Sequence, residues 1–255
     1  MQQVCHPPRM TCDVRRGCCH CLVTRPRRCF LQAVAVLVAF SVVRGLGLAG
    51  PPGVSIPVLT GALALVAWWS GASPADLGLE RAAVAAGVRY GTAAFAAVGL
   101  VVLLVAVVPQ TRPMFHDSRG EITAGRLLYE VTVTVVLLTA IPEEFAFRGV
   151  LLGSAMALWG PRRATWVTAL LFGLWHIQPT LQSIPDNRAM DVAPTQVAGQ
   201  MGLAAGAVVL TFLAGLGFAW LRLRSRSLVA SVLAHVATNG LALVAAWTVA
   251  HQRLL

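Results

Sequence analysis

Three charged side chains, Glu143, Glu144 and Arg148, stand in the middle of an apolar run that extends from about residue 127 to 158. Elsewhere in the chain two apolar runs carry His176 and His235, and Asn239 follows the second histidine after four residues. A helix turns about 100° per residue, so residues four apart share a face. Glu144 and Arg148 can therefore pair, and His235 and Asn239 present an imidazole and an amide side by side. Glu143 is rotated about 100° from Glu144 and has no cation on its own face. Two adjacent carboxyls in unlike environments are what acid–base chemistry asks for. A neutral imidazole can take or give a proton near pH 7, and an imidazole with an amide can offer donors to a developing oxyanion. Glu143, Glu144, Arg148, His176, His235 and Asn239 are thus the candidate catalytic set, and on paper they complete a hydrolytic site.

Each of these groups also has a plainer reading. Glu144 and Arg148 could be a structural buried pair, and a His or Asn inside an apolar helix is often a bond between helices. Phe172, one turn before His176, reads as packing. Glu130, one turn after Arg126, reads as an interfacial pair. The gathering of polar groups on three separate apolar segments favours function. The same groups could serve a proton relay, so a proton-coupled transporter is the alternative enzyme-free reading, and a non-catalytic immunity or scaffold protein is another.

The segments that must position them are membrane spans. The 255 residues are 57% hydrophobic and 12% charged, with a mean hydropathy of +0.72. A soluble domain has roughly 45–50% apolar and 25% charged residues, and a disordered chain is poorer still in apolar groups. Apolar windows near 29–47, 54–70, 90–109, 127–158, 164–178, 198–221 and 228–250 predict an all-α, polytopic transmembrane helical bundle of seven to eight spans with a membrane-embedded site. A central Asp, Lys or Arg costs about 2.5–3.5 kcal/mol on insertion scales, so the segment bearing Glu143, Glu144 and Arg148 should face other helices rather than lipid. Pro142 is a predicted kink. Rises of about 1.5 Å per residue put Glu143, His176 and His235 all within the bilayer.

The basic charge gives an orientation. All 20 cations are arginine, and the formal net charge is +10. Arg9, Arg15, Arg16, Arg25, Arg27, Arg28, Arg81, Arg89, Arg162, Arg163, Arg222, Arg224 and Arg226 fall on the cytoplasmic side if the amino terminus does, against Arg112, Arg119, Arg126, Arg188 and Arg253 outside. Arg44 and Arg148 lie within spans. Scattered loop arginines form no stripe for nucleic acid, so no nucleic-acid partner is expected. Residues 1–28, with five of the six cysteines, read as a basic, Cys-rich cytoplasmic tail, disordered; 29–126 as amino-terminal helices and loops; 127–250 as the catalytic helical core; and 251–255 as a short tail. Arg27-Arg28-Cys29-Phe30-Leu31 resembles a twin-arginine signal, but the many later spans favour a first anchor. Gly202 and Gly206 form a small-residue pair of the kind that lets helices approach.

Three motifs in order, Glu143-Glu144-Phe145-Ala146-Phe147-Arg148-Gly149, Phe172-Gly173-Leu174-Trp175-His176 and His235-Val236-Ala237-Thr238-Asn239, resemble the CPBP family. That family comprises the type 2 CAAX prenyl endopeptidases and their bacterial Abi or bacteriocin-processing relatives. The resemblance covers about residues 127–250. It implies an intramembrane endopeptidase of a bacterial plasma membrane, acting on a peptide or membrane-protein substrate. In it the residue matching Glu143, helped by the one matching His176, activates water. His235 and Asn239 match the oxyanion-stabilising pair, and Glu144 and Arg148 match positions that hold the site or orient substrate. No cofactor is required by this reading. Zinc on Glu143, His176 and His235 is the lesser alternative, since there is no His-Glu-x-x-His segment and a metal would take the base away. Neither a Gly-x-Ser-x-Gly elbow nor an intramembrane Asp is present, which argues against elbow-type serine and aspartyl chemistry.

Overall fold

Apolar stretches with no water around them must satisfy their backbone groups internally, which helices do. The computed structural model describes residues 19–115, 120–183 and 197–251, and every regular element among the described residues is helical. We number the helices α1 (Cys19–Gly45), α2 (Pro52–Trp69), α3 (Pro74–Leu77), α4 (Val84–Val107), α5 (residues 124–159), α6 (residues 161–175), α7 (Ile177–Ser183), α8 (Val197–Ser225) and α9 (Leu228–His251). Six helical stretches are long and apolar enough to cross a membrane: Arg25–Gly45, Pro52–Trp69, Pro74–Val107, Ala124–Gln182, Met201–Ser225 and Leu228–His251. Large apolar side chains such as Leu65, Trp68, Trp69, Leu103 and Leu210 are exposed over their outer surfaces, as expected where the solvent is lipid. The chain is therefore an integral membrane helical bundle, and each of the seven predicted segments overlaps a helix.

The fourth stretch is 59 residues long because α5 and α6 are joined by a single hinge. Gly160 has φ 74° and ψ 168°, a conformation open to glycine, and Pro161 follows at the first position of α6, where a missing N–H costs nothing. The arms fold back on each other: Phe172 meets Phe147 edge-on at 5.1 Å and Trp175 reaches Glu143. At Pro142 the backbone stays helical on both sides, and the predicted kink is taken up differently. Residues Glu130–Ala140 and Phe145–Leu151 adopt wide π turns, with the Ile141 N–H bonded to the Val136 carbonyl five residues back. Such turns shift the helical register of the side chains that follow.

Two expectations need correction. The first helix begins at Cys19, not 29, so residues 19–28 of the segment read as a disordered tail are helical, with Pro26 inside them. Arginine is a good helix former, so a helix can run beyond its apolar window. Residues 1–18 and 252–255 lie outside the described residues. Gly202 and Gly206 have nothing within 4 Å of where a Cβ would stand. The close approaches occur instead at Gly87 and Gly91 of α4, where a Cβ would come within 2.6 Å of Ser227 Oγ and 2.7 Å of Leu233 Cδ1 on α9 and its entry. A small-residue pair marks only where helices could approach; the partner's position decides where they do.

Ties at both ends fix the bundle. At one end buried Arg222 donates from Nη2 to the carbonyls of Ala75 (3.1 Å) and Asp76 (3.0 Å), and the Leu228 N–H donates to the Gly78 carbonyl. Trp247 Nε1 donates to the Ile122 carbonyl, joining α9 to the entry of α5. The Gln178 amide, with its oxygen toward the Gly45 N–H (2.7 Å) and its nitrogen toward the Ser41 carbonyl (3.2 Å), ties α7 to the end of α1. Between α6 and α8, Gly173 lies so close that a Cβ would be 2.8 Å from the Val208 carbonyl oxygen. We expect Gly173→Ala to lower stability by about 1–3 kcal/mol, as overpacking does. Gly217→Ala, which meets nothing, should leave it unchanged or slightly raised. Thermal unfolding of the purified proteins in one detergent checks both.

Candidate active site

The innermost layer of the site is a buried cation and the groups that satisfy it. Arg148 on α5 is 2% exposed and Glu144 is fully buried. Arg148 Nη1 donates to Glu144 Oε1 at 2.9 Å, the four-residue pairing read from the sequence. Arg148 Nη2 donates to the Gly215 carbonyl of α8 at 3.3 Å, and a Cβ on Gly215 would lie 3.3 Å from that same nitrogen. The guanidinium lies over the Phe172 ring at 4.0 Å from its centre and within 5.1 Å of that of Phe218, so aromatic faces supply the electron density that water would otherwise provide. Buried His235 on α9 places Nδ1 2.9 Å from Glu144 Oε1 and stacks on Phe218 at 5.2 Å. One carboxylate oxygen thus holds α5 and α9 together, and Arg148 adds α8.

The outer layer is less enclosed. Glu143 and the His176 side chain are 17% and 21% exposed, against 3% or less for Glu144, Arg148 and His235. Trp175 Nε1 donates to Glu143 Oε1 at 3.1 Å, and the Trp175 ring stacks with Phe40 of α1 at 6.0 Å. The other oxygen, Glu143 Oε2, is 3.9 Å from His176 Nε2 and 3.9 Å from His235 Nε2, and has no hydrogen-bond partner among the described residues.

The tautomers follow from the partners. His176 Nδ1 lies 2.7 Å from the Phe172 carbonyl, which can only accept, so Nδ1 carries a proton. His235 Nδ1 faces the carboxylate that Arg148 also binds, and donates in the same way. When neutral, both rings therefore turn an unprotonated Nε2 toward Glu143. Three acceptors converge on one spot, and a proton donor belongs between them. To donate toward an oxyanion, His235 must take up a second ring proton.

Five of the six predicted side chains are brought together. Asn239 is not: it is exposed, and its amide oxygen accepts a long bond of 3.5 Å from Thr238 Oγ1. Asn239 lies in the wide turn Ala237–Leu241 and is exposed there, while His235 is buried. Phe172, read as packing, does more than pack: its carbonyl orients His176 and its ring faces Arg148. Trp175 escaped the sequence reading. An indole N–H inside a span needs an acceptor, and that was the available signal. Arg126 and Glu130 form the expected ion pair.

A cavity of about 180 Å³ between α1, α2, α5 and α6 has Glu143 and Trp175 in its wall, with Leu37, Arg44, Leu59 and Pro142. Among the described residues no group of three or more His, Cys, Asp or Glu side chains is arranged to hold a metal ion. Glu144 Oε1 is already taken by Arg148 and His235.

A helical membrane bundle with a carboxylate and two imidazoles converging beside an internal cavity has the makings of an intramembrane hydrolase. Residues 126–241 match the family model of Rce1-like type II CAAX prenyl endopeptidases. The match spans α5, α6, α7, α8 and the first half of α9, and includes all six predicted site residues. No curated protein and no solved structure matches the chain.

The inner layer predicts a specific pattern of stability. Arg148→Met strands the Glu144 carboxylate in the interior and should cost about 3–5 kcal/mol, whereas Glu144→Gln with Arg148→Met removes both charges and should recover much of that loss. Melting temperatures of the single and double variants in detergent test the coupling.

Proposed function

We propose that the chain is an intramembrane endopeptidase in which Glu143, assisted by His176, activates water against a peptide carbonyl. The reading is carried by one observation, the convergence of two imidazole Nε2 atoms on the free oxygen of Glu143 beside a cavity. Water at that point gives a proton to Glu143 as its oxygen attacks the carbonyl carbon. The proton then passes to the leaving amine, and His176 can share it at either stage. Trp175 holds the other carboxylate oxygen and aims Oε2 at the water. His235, protonated on both nitrogens and braced by Glu144, offers Nε2–H to the oxyanion. Asn239, nearer the surface of the same helix, contributes where substrate brings its carbonyl to the amide. Glu144 and Arg148 act through His235 and the helix positions rather than on substrate.

The family favours peptide hydrolysis over the transport and scaffold alternatives. We assign the catalytic core to residues 127–250, the substrate to a peptide or membrane protein, and the membrane to a bacterial plasma membrane with the amino terminus in the cytoplasm. We assign no metal to the mechanism, because binding one would consume the base and both imidazoles.

Comparison of membrane proteomes with and without Glu143→Ala should reveal a peptide-bond cut that disappears. On that substrate, purified Glu143→Gln should lose at least about 10²-fold in rate, the lower range for removing a general base, while keeping its melting temperature. Cleavage at an undiminished rate would remove Glu143 as the base. Cleavage in wild-type protein should also survive treatment with a strong chelator, and loss of activity that added zinc restores would favour the metal-dependent route.

A further inference from the structure

Two arginines lie inside the predicted spans, and only one of them is accounted for by the site. Arg148 is enclosed by Glu144, the Gly215 carbonyl and aromatic rings. Arg44, in the last turn of α1, is partly buried and has no acid partner among the described residues. It lines the same cavity as Glu143. The rest of that wall is largely apolar, including Leu37, Phe40, Leu59 and Trp175, and Arg44 and Glu143 are its two charged members.

Their relation is set by the helices. Phe40 stacks on Trp175, which holds Glu143, and Arg44 follows Phe40 by four residues, about one turn or 6 Å further along the same face. Gln178 fixes this end of α1 against α7 at Ser41 and Gly45, so Arg44 keeps its place relative to His176. A cavity of about 180 Å³ is comparable to the roughly 150 Å³ apolar cavities that accept a benzene-sized group. An extended peptide advances about 3.3–3.6 Å per residue. A peptide whose scissile carbonyl sits at Glu143 can therefore place one large apolar side chain in the cavity and a group further along its chain at Arg44.

Resting on the proposed peptidase reading, we infer that Arg44 is a specificity-determining residue that binds a carboxylate of the substrate, a short way along the peptide from the cut. A guanidinium pairs with a carboxylate through two parallel N–H bonds, and in an apolar wall that pairing discriminates strongly against neutral ends. The carboxylate can be an acidic side chain or a free carboxyl terminus, and the chemistry at Arg44 is the same.

The test uses the full chain in liposomes and three sets of apolar peptides: one with an acidic side chain and an amidated end, one with neutral side chains and a free end, and one with neither. Cleavage is read by mass spectrometry. Binding is read separately, with fluorescent peptides and the Glu143→Gln protein. Wild-type protein should prefer one carboxylate set, and the preferred set identifies the source. Arg44→Gln should reduce kcat/KM for that set by about tenfold or more, with under a twofold change on the neutral set, as expected for loss of a charge-assisted bond. Arg44→Lys should retain part of the preference, and Arg44→Glu should abolish it. In the Glu143→Gln background, Arg44→Gln should weaken binding of the carboxylate peptides alone. Equal loss on all three sets, with a lowered melting temperature, would make Arg44 a structural residue and overturn the inference. Cleavage without any carboxylate preference would overturn it too. Selective binding without cleavage by wild-type protein would uphold Arg44 and instead overturn the peptidase reading.

Discussion

A guanidinium that enters a membrane-embedded interior has to be met on every side, and the contact between Arg148 and Glu144 is the constraint that the rest of this bundle answers. Neither charge could be buried alone without a penalty of several kcal/mol. Together they leave N–H groups and further acceptor capacity on the shared Glu144 Oε1, and each further contact recruits another helix: the Gly215 carbonyl from α8, His235 from α9, and the Phe172 face from α6. A Cβ on Gly215 would stand 3.2 Å from Ala169 and 3.3 Å from the guanidinium, so the close approach of both leaves little room for a side chain there. The ion pair thus specifies which helices meet and at what height. Its value lies as much in excluding other packings as in net stability.

Because Glu144 is committed inward, its neighbour is free. The two carboxyls differ by about 100° around the helix, and that rotation separates a buried oxygen bonded to Arg148 and His235 from one that faces the cavity wall. Glu143 has a single neutral donor, Trp175, and its second oxygen looks toward two ring nitrogens. The imidazoles are oriented from behind, His176 by a backbone carbonyl and His235 by Glu144. The Phe172 carbonyl and the Glu144 carboxylate therefore set which ring nitrogen each imidazole turns toward Glu143.

Much of this was legible in the sequence because intramembrane charge is expensive and spacing of four is simple. The pairing of Glu144 with Arg148, the separation of Glu143 from it and the apolar helices that bear them follow from those two facts. The helical segments were read from hydropathy, although α1 starts ten residues earlier than its apolar window suggests. What stayed hidden depended on backbone detail. The placing of Asn239 rested on spacing alone, and spacing does not show that this side of the helix faces out of the bundle. Gly202 and Gly206 satisfied a spacing rule while Gly87 and Gly91 met a partner. Trp175 was passed over because an indole in a span is usually counted as apolar, although its N–H is a donor that the membrane interior cannot satisfy.

The wide turns themselves fit the same logic. They occupy Glu130–Ala140 and Phe145–Leu151 on either side of the two glutamates, and Ala237–Leu241 just after His235. Proline at 142 removes one N–H from α5, and a helix that must also turn Glu143 toward α6 and Glu144 toward α9 has little freedom to kink. Spreading the adjustment over i to i+5 bonds changes the direction of successive side chains. The segment that bears the chemistry can then keep its close contacts with α6 and α9 along its length. A sharp bend at Pro142 would have separated Phe147 from Phe172, and with it the ring that faces Arg148. The irregular backbone around the site is in this sense a consequence of the buried ion pair: the charges fix both ends of the contact, and the helix between them takes the turn that reconciles them.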